Sequence, residues 1–310
     1  MKRLLVPLII FLLLVSGCSN AASTKTEKTS EGSKKLQIVT TFYPMYYFAK
    51  KVAGDSANVE LLIPNGVEPH DWEPTAKDMA KIQDADVFIY NSQYFELWTE
   101  KVLKSINDSN LKVVEASSGI KLMDALESEE GEEHTASKDP HVWLSPVLAQ
   151  QEVNTIAKAL EQADPKNKVQ FQKNAEDLNS ELTDLDHLYK ETIDKAKKKD
   201  FVTQHAAFGY LAKQYGLTQI PIAGLSPDVE PTLGKLAELT ELTKKKNIKV
   251  VYFEEMTSSK VAETLAKEIG AKTEVLNPLE GLTKEEQQQG LDYFGVMKKN
   301  LDALKLSISQ

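Results

Sequence analysis

One cysteine, Cys18, occurs in 310 residues. That scarcity excludes an intrachain disulfide framework and any thiolate metal site. Cations are also short, with 37 Lys and Arg against 46 Asp and Glu and a formal charge of −9. That balance argues against nucleic acid as a partner, because holding phosphates takes clustered Lys and Arg. An acidic surface suits the handling of a cation without requiring it. The apolar run LLVPLIIFLLLV, residues 4–15, stops at 12 residues where a membrane helix needs about 20. Histidine is rare, five residues in all, and no local ligand pair such as HExxH is present.

What is present begins with an export signal. Lys2 and Arg3 precede the apolar run, and Ser16 and Gly17 follow it, so residues 1–17 read as a signal peptide. The run ends in VSGC, which resembles the bacterial lipoprotein signal and makes Cys18 the expected lipid anchor. An ordinary secretory signal that happens to contain a cysteine is the alternative. Loss of Lys2 and Arg3 takes the formal charge from −9 to −11. The following stretch, small, polar and charged, cannot bury enough surface to order itself, so residues 18–35 form a flexible tether.

Beyond it, short apolar runs alternate with amphipathic ones. LQIVTTF, ANVELLIP, VFIYNS and LKVVEAS read as strands, and helical patterns fall between them. The rhythm recurs after residue 199, with FVTQ, TQIPIAG, IKVVYFEE and KTEVLNPL. This predicts an α/β fold of two similar parallel-sheet lobes, over 36–165 and 199–310. Between them, Phe171, Ala175, Leu178, Leu182, Leu185 and Tyr189 recur at gaps of four and three, one apolar stripe on a long helix. Asp164 and Pro165 suit its start and Lys195 to Lys199 its end. As a single helix over 166–198 it would be about 50 Å long, enough for a rigid spine to both lobes. His187 lies on it beside the stripe, as a solvated or flanking residue.

Of the other histidines, His70 follows the second strand in NGVEPHDWEPT, a loop stiffened by Pro69 and Pro74. His205 closes FVTQH, and Glu280 follows TEVLNPL. Open parallel sheets bind ligands beyond the carboxyl ends of their strands, so these three fall where the fold class puts a site. His141 sits in DPHVWLSP, ahead of a helix for which Ser145 and Pro146 suit the N-cap and first positions. Three imidazoles and one carboxylate suit tetrahedral zinc. The gaps of 71, 64 and 75 residues are by themselves also compatible with unrelated surface or capping histidines.

Four segments in order, PNGVEPHDWEPT, DPHVWLSP, TQHAAFGYLAKQYGL and VLNPLEGL, resemble the ligand segments of zinc-binding lipoproteins serving bacterial ABC importers. These are the ZnuA/AdcA-like branch of the metal-binding solute-binding proteins. The resemblance runs from about Leu36 to the C-terminus. It implies Zn²⁺ held in the cleft between two lobes joined by one helix, with His70 and His141 from the first lobe and His205 and Glu280 from the second. Manganese-binding relatives carry glutamate at the third position and aspartate at the fourth, so His205 and Glu280 indicate zinc, as does the excess of nitrogen ligands.

The resemblance further implies a monomer, anchored through Cys18 outside the cell membrane, that hands zinc to an ABC permease and catalyses nothing. A stiff spine implies small relative movement of the lobes. Rival readings are a manganese-binding protein or surface adhesin, and a zinc hydrolase, for which no separate base and nucleophile are visible. The acidic loop 127–139, with His134 and five glutamates, is either a solvated loop or a weak secondary cation site. Glu254 and Glu255 end another strand and suit a supporting rather than a ligating role. Trp72 and Trp143, close to two of the histidines, suit packing.

Overall fold

The computed structural model describes residues 35–106, 110–125, 137–227 and 231–310. The expected signal segment, Cys18, nearly all of the expected tether, and His134 with most of its acidic loop lie outside those residues. The first lobe runs β1 (Leu36–Thr40), α1 (Tyr43–Ala53), β2 (Ala57–Leu61), α2 (Ala76–Gln83), β3 (Val87–Tyr90), α3 (Thr99–Ser105), β4 (Lys112–Glu115) and α4 (Pro146–Ala163). Helix α5 (Lys168–Ile193) leads into the second lobe. There the order is β5 (Asp200–Thr203), α6 (Gly209–Tyr215), β6 (Thr218–Pro221), α7 (Leu233–Lys245), β7 (Val250–Phe253) and α8 (Lys260–Ile269). The chain closes with β8 (Lys272–Val275), α9 (Lys284–Gln288) and α10 (Tyr293–Ile308).

Each lobe carries one four-stranded, wholly parallel sheet, ordered β2-β1-β3-β4 and β6-β5-β7-β8. The inner strands read as near-continuous apolar runs, VFIY in β3 and VVYF in β7, because helices cover both of their faces. The outer strand β2, ANVEL, alternates buried and exposed instead. In both sheets the chain goes from the first strand to one side and returns on the other. A crevice therefore opens beyond the carboxyl ends of β1 and β3, and again beyond those of β5 and β7.

The stripe on α5 is buried throughout, extended by Ile193. It packs on α1 and α4 of the first lobe and on α6 and α10 of the second. Asn174 Nδ2 donates to the Val52 carbonyl at 2.9 Å, and Tyr189 OH to the Met297 carbonyl at 2.7 Å. One helix of 26 residues, about 39 Å, thus touches both lobes. It ends before its expected limit of 198 because Lys197 and Lys198 turn their N–H groups to the Ile308 carbonyl, and Lys199 Nζ takes the Ile193 carbonyl. Apolar packing continues from lobe to lobe, with Tyr47 and Phe48 meeting Tyr293 at 5.9 and 5.1 Å.

Two local expectations change. Ser145 precedes α4 but its buried hydroxyl caps nothing: Pro146 has no N–H to offer, and the N–H groups of Leu148 and Ala149 go to the Ser145 carbonyl. Helix α9, anchored by a Thr283–Glu286 capping box, was not legible as a separate element.

Glu152 on α4 is fully buried, and neither carboxyl oxygen has a hydrogen-bond partner among the described residues. Burial, with the charge of Glu96 adding to it, raises its pKa well above the ordinary carboxylate value of 4.5. The folded chain therefore favours a protonated Glu152, and stability is lost as pH rises from that value towards the raised one. Replacing Glu152 with Met should stabilise the chain by about 1–3 kcal/mol, the desolvation cost of an unpaired polar group. The gain should be larger at pH 8 than at pH 5 in urea melts of the metal-free chain. A destabilised variant would refute the assignment.

Candidate metal centre

The crevices of the two lobes face each other, and four loops meet there. Pro69 and Pro74 bracket the loop after β2 that carries His70, whose backbone N–H is held by the Glu68 carboxylate at 3.0 Å. His141 stands ahead of α4, His205 at the carboxyl end of β5, and Glu280 after β8. Glu280 is placed by an unusual backbone: Leu279 takes a left-handed φ of 60°, uncommon for a residue with a side chain. The strain is held by Asn277 Oδ1, which accepts from Leu279 N at 2.7 Å. Asn277 is itself fixed by Asn300 and by Glu286.

One ligating atom from each of His70, His141, His205 and Glu280 can be chosen so that all four lie within 4.8 Å of one another. The three Nε2 atoms stand 3.3, 3.4 and 3.5 Å from Glu280 Oε1. Zinc bonds of about 2.0–2.2 Å in a tetrahedron put ligand atoms about 3.3–3.6 Å apart. The spacing thus matches a tetrahedral edge. His141 Nε2, His205 Nε2 and Glu280 Oε2 are buried with no hydrogen-bond partner among the described residues. Buried polar atoms are normally satisfied, so this convergence fits a cation.

The outer nitrogens are occupied. His141 Nδ1 meets Asp139 Oδ1 at 2.8 Å, and His205 Nδ1 meets Glu254 Oε1. In the neutral rings Nδ1–H donates to the carboxylate and leaves the Nε2 lone pair facing inward. Burial disfavours charge on His205, but the Glu254 carboxylate outweighs it and pushes the pKa up to about 10. Burial also opposes charge on His141, where the hydrogen bond to Asp139 prevails and raises the pKa. At His70, burial prevails over Glu280 and lowers it. Burial alone would raise Glu280; the three rings, His70 foremost, hold it ionised well below the carboxylate range.

The lobes are joined at the site's rim. Trp143 Nε1 donates to the Pro278 carbonyl at 2.8 Å, and Tyr293 OH to the Trp143 carbonyl at 2.6 Å. Tyr210 OH, from the second lobe, donates to the Asp139 carbonyl at 2.7 Å. Leu282 N donates to Asn65 Oδ1 at 3.2 Å, tying the Glu280 loop to the His70 loop. Gly209 allows a close approach beside the site, since a Cβ there would lie 2.8 Å from Asp139 Oδ2 and push on the carboxylate that holds His141. His70 is the most open of the four, its side chain 10% exposed. It also lines a groove of about 590 Å³ with Trp72, Trp98 and Lys101.

All four expected residues converge. His187 lies exposed on α5, as expected of it. Glu254 supports a histidine and Trp143 joins packing to a hydrogen bond. Asp139 and Tyr210 went unnoticed; for Asp139 the signal was its position two residues before His141, within reach of both ring and backbone.

Comparison with known proteins agrees with this geometry. The family described as zinc-uptake complex component A, periplasmic (ZnuA) matches residues 38–306. The high-affinity zinc uptake system protein ZnuA of Bacillus subtilis strain 168 is 57% identical over 306 residues, 96% of this chain and 94% of that protein. The zinc-binding lipoprotein AdcA of Streptococcus pneumoniae strain R6 is 50% identical over 308 residues. There the chain spans 61% of the relative's length. The solved Zn(II)-bound ZnuA-like domain of S. pneumoniae AdcA superposes with a TM-score of 0.77 at 51% identity, covering 89% of this chain and 100% of that one. With a match over nearly all of the folded chain, and four candidate ligands converging between its lobes, the chain belongs to the ZnuA family of zinc-uptake complex components.

Proposed function

We propose that this chain captures Zn²⁺ outside the cytoplasmic membrane and delivers it to the permease of an ABC importer. The observation that carries the reading is the set of three Nε2 atoms spaced about Glu280 Oε1 at tetrahedral-edge distances. His70, His141, His205 and Glu280 are the ligands. Asp139 and Glu254 fix the orientation of two of the rings before the metal arrives. Cys18 carries the lipid, the stretch to residue 35 tethers the folded part, and the chain works as a monomer. The helix shared by both lobes and the packing between them favour small movements over wide hinge closure.

The set also argues against a hydrolase. A catalytic zinc keeps a position for water, whereas here a carboxylate occupies the fourth corner. Metal analysis of the soluble chain lacking residues 1–18 should find one zinc per molecule. Glu280→Ala should lose zinc affinity, fail to support growth under chelation, and gain no hydrolytic activity. Hydrolysis appearing in that variant, or zinc-limited growth indifferent to the gene, would overturn the importer reading.

A further inference from the structure

The first lobe contains a buried carboxylate outside the set of four. Glu96 is 1% exposed. Its Oε1 accepts from Thr41 Oγ1 at 2.6 Å and from Asn91 N at 2.9 Å, and its Oε2 from Ser92 N at 3.0 Å. Thr41 immediately follows β1 and Asn91 immediately follows β3, so Glu96 straddles the point where strand order reverses in the first sheet. The second sheet has the same order. At its reversal Glu254, just after β7, bonds His205, just after β5. Each lobe thus sets one buried carboxylate across its crevice.

In the second lobe that carboxylate grips a metal-facing ring directly. In the first it grips the turn that holds two of them. Asn91 Nδ2 donates to the Pro140 carbonyl at 2.9 Å, and that carbonyl immediately precedes His141. Ser117 Oγ donates to the Asn91 carbonyl at 2.8 Å, steadying the turn from the other side. Phe95, adjacent to Glu96, meets the His70 ring edge-on at 4.8 Å and the His141 ring at 6.1 Å. Phe42, next to Thr41, backs Phe95 at 4.5 Å and Trp143 at 4.8 Å.

We infer that Glu96 is the positioning residue of the first-lobe half of the site: it locks the Asn91–Glu96 turn so that Asn91 sets the His141 backbone and Phe95 forms the wall on which His70 and His141 rest. The inference rests on the zinc reading above. Three donors converge on the carboxylate, so glutamine cannot replace it cleanly; its amide would confront a backbone N–H or the threonine hydroxyl. Outer partners of metal ligands typically contribute ten- to a hundredfold in affinity, and Glu96 acts at one further remove through the turn.

The test uses the soluble chain lacking residues 1–18, as wild type, Glu96→Gln and Asn91→Ala, with Zn²⁺ and Co²⁺ as probes. Each is measured by competitive zinc titration, by the visible spectrum of bound Co²⁺, which reports tetrahedral geometry, and by melting without metal. Zinc affinity should fall about tenfold or more in both variants, with weakened Co²⁺ bands, even where melting moves little. Purely structural roles would lower the melting temperature while leaving the affinity and spectrum of the folded chain at wild-type values, and that result overturns the inference. If Glu96→Gln does not fold, Asn91→Ala decides alone. No tight zinc on the wild type would instead sink the zinc reading itself.

Discussion

Zinc affinity of His205→Ala should be about two to three orders of magnitude below wild type. Structural zinc sites bind with about 10–16 kcal/mol shared among four ligands, so one ligand carries about 2.5–4 kcal/mol. At 1.4 kcal/mol per factor of ten, its loss weakens binding by that margin. His205 is a demanding case because its removal also leaves Glu254, 4% exposed, facing a cavity without its imidazole partner. Glu254→Gln should cost less, about ten- to a hundredfold, since the ligand survives and only its orientation and basicity change. Competitive titration of the three proteins orders them directly. Binding indifferent to His205 would mean that zinc sits elsewhere.

The second large effect is on pH. In the metal-free site, carboxylate partners raise the pKa of His141 and push that of His205 up to about 10, so His205 holds its proton through the neutral range. Zinc needs the Nε2 lone pairs and must displace any proton held there. Each proton displaced changes apparent affinity tenfold per pH unit, so affinity should rise by about tenfold per unit through the neutral range from His205 alone, and more steeply wherever His141 is protonated as well. His70, lowered by burial, adds its own proton only at more acidic pH, where the slope steepens. The sign is fixed: acid releases zinc and alkali tightens it. Zinc titrations between pH 7.5 and 5, with proton release followed in weak buffer, check both points. A flat profile would be incompatible with three imidazole ligands.

Much of this was readable along the chain. The inner strands are apolar runs and α5 is a stripe because each buries a defined face, and periodicity records burial. The expected end of α5 failed for a non-local reason: the N–H groups of Lys197 and Lys198 found an acceptor at Ile308, more than a hundred residues away in sequence. No local pattern announces such a partner. Helix α9 was missed because five residues leave too little periodicity to notice.

The candidate ligands were legible because histidine is rare and stiff loops hold it at strand ends, where a parallel sheet opens. Their company was not. Asp139 and Glu254 are ordinary acidic residues until folding buries each against a ring nitrogen. Glu96 lies in a stretch that reads as plain helix, and only the approach of β1 to β3 gives its carboxylate three donors. Local chemistry therefore determined the class of fold and which side chains could take a soft-to-borderline cation. The tertiary structure decided that four of them converge, three ring nitrogens at tetrahedral-edge spacing from a single carboxylate oxygen. Convergence of that kind depends on long-range packing, and no interval along the sequence encodes a distance between loops of separate lobes.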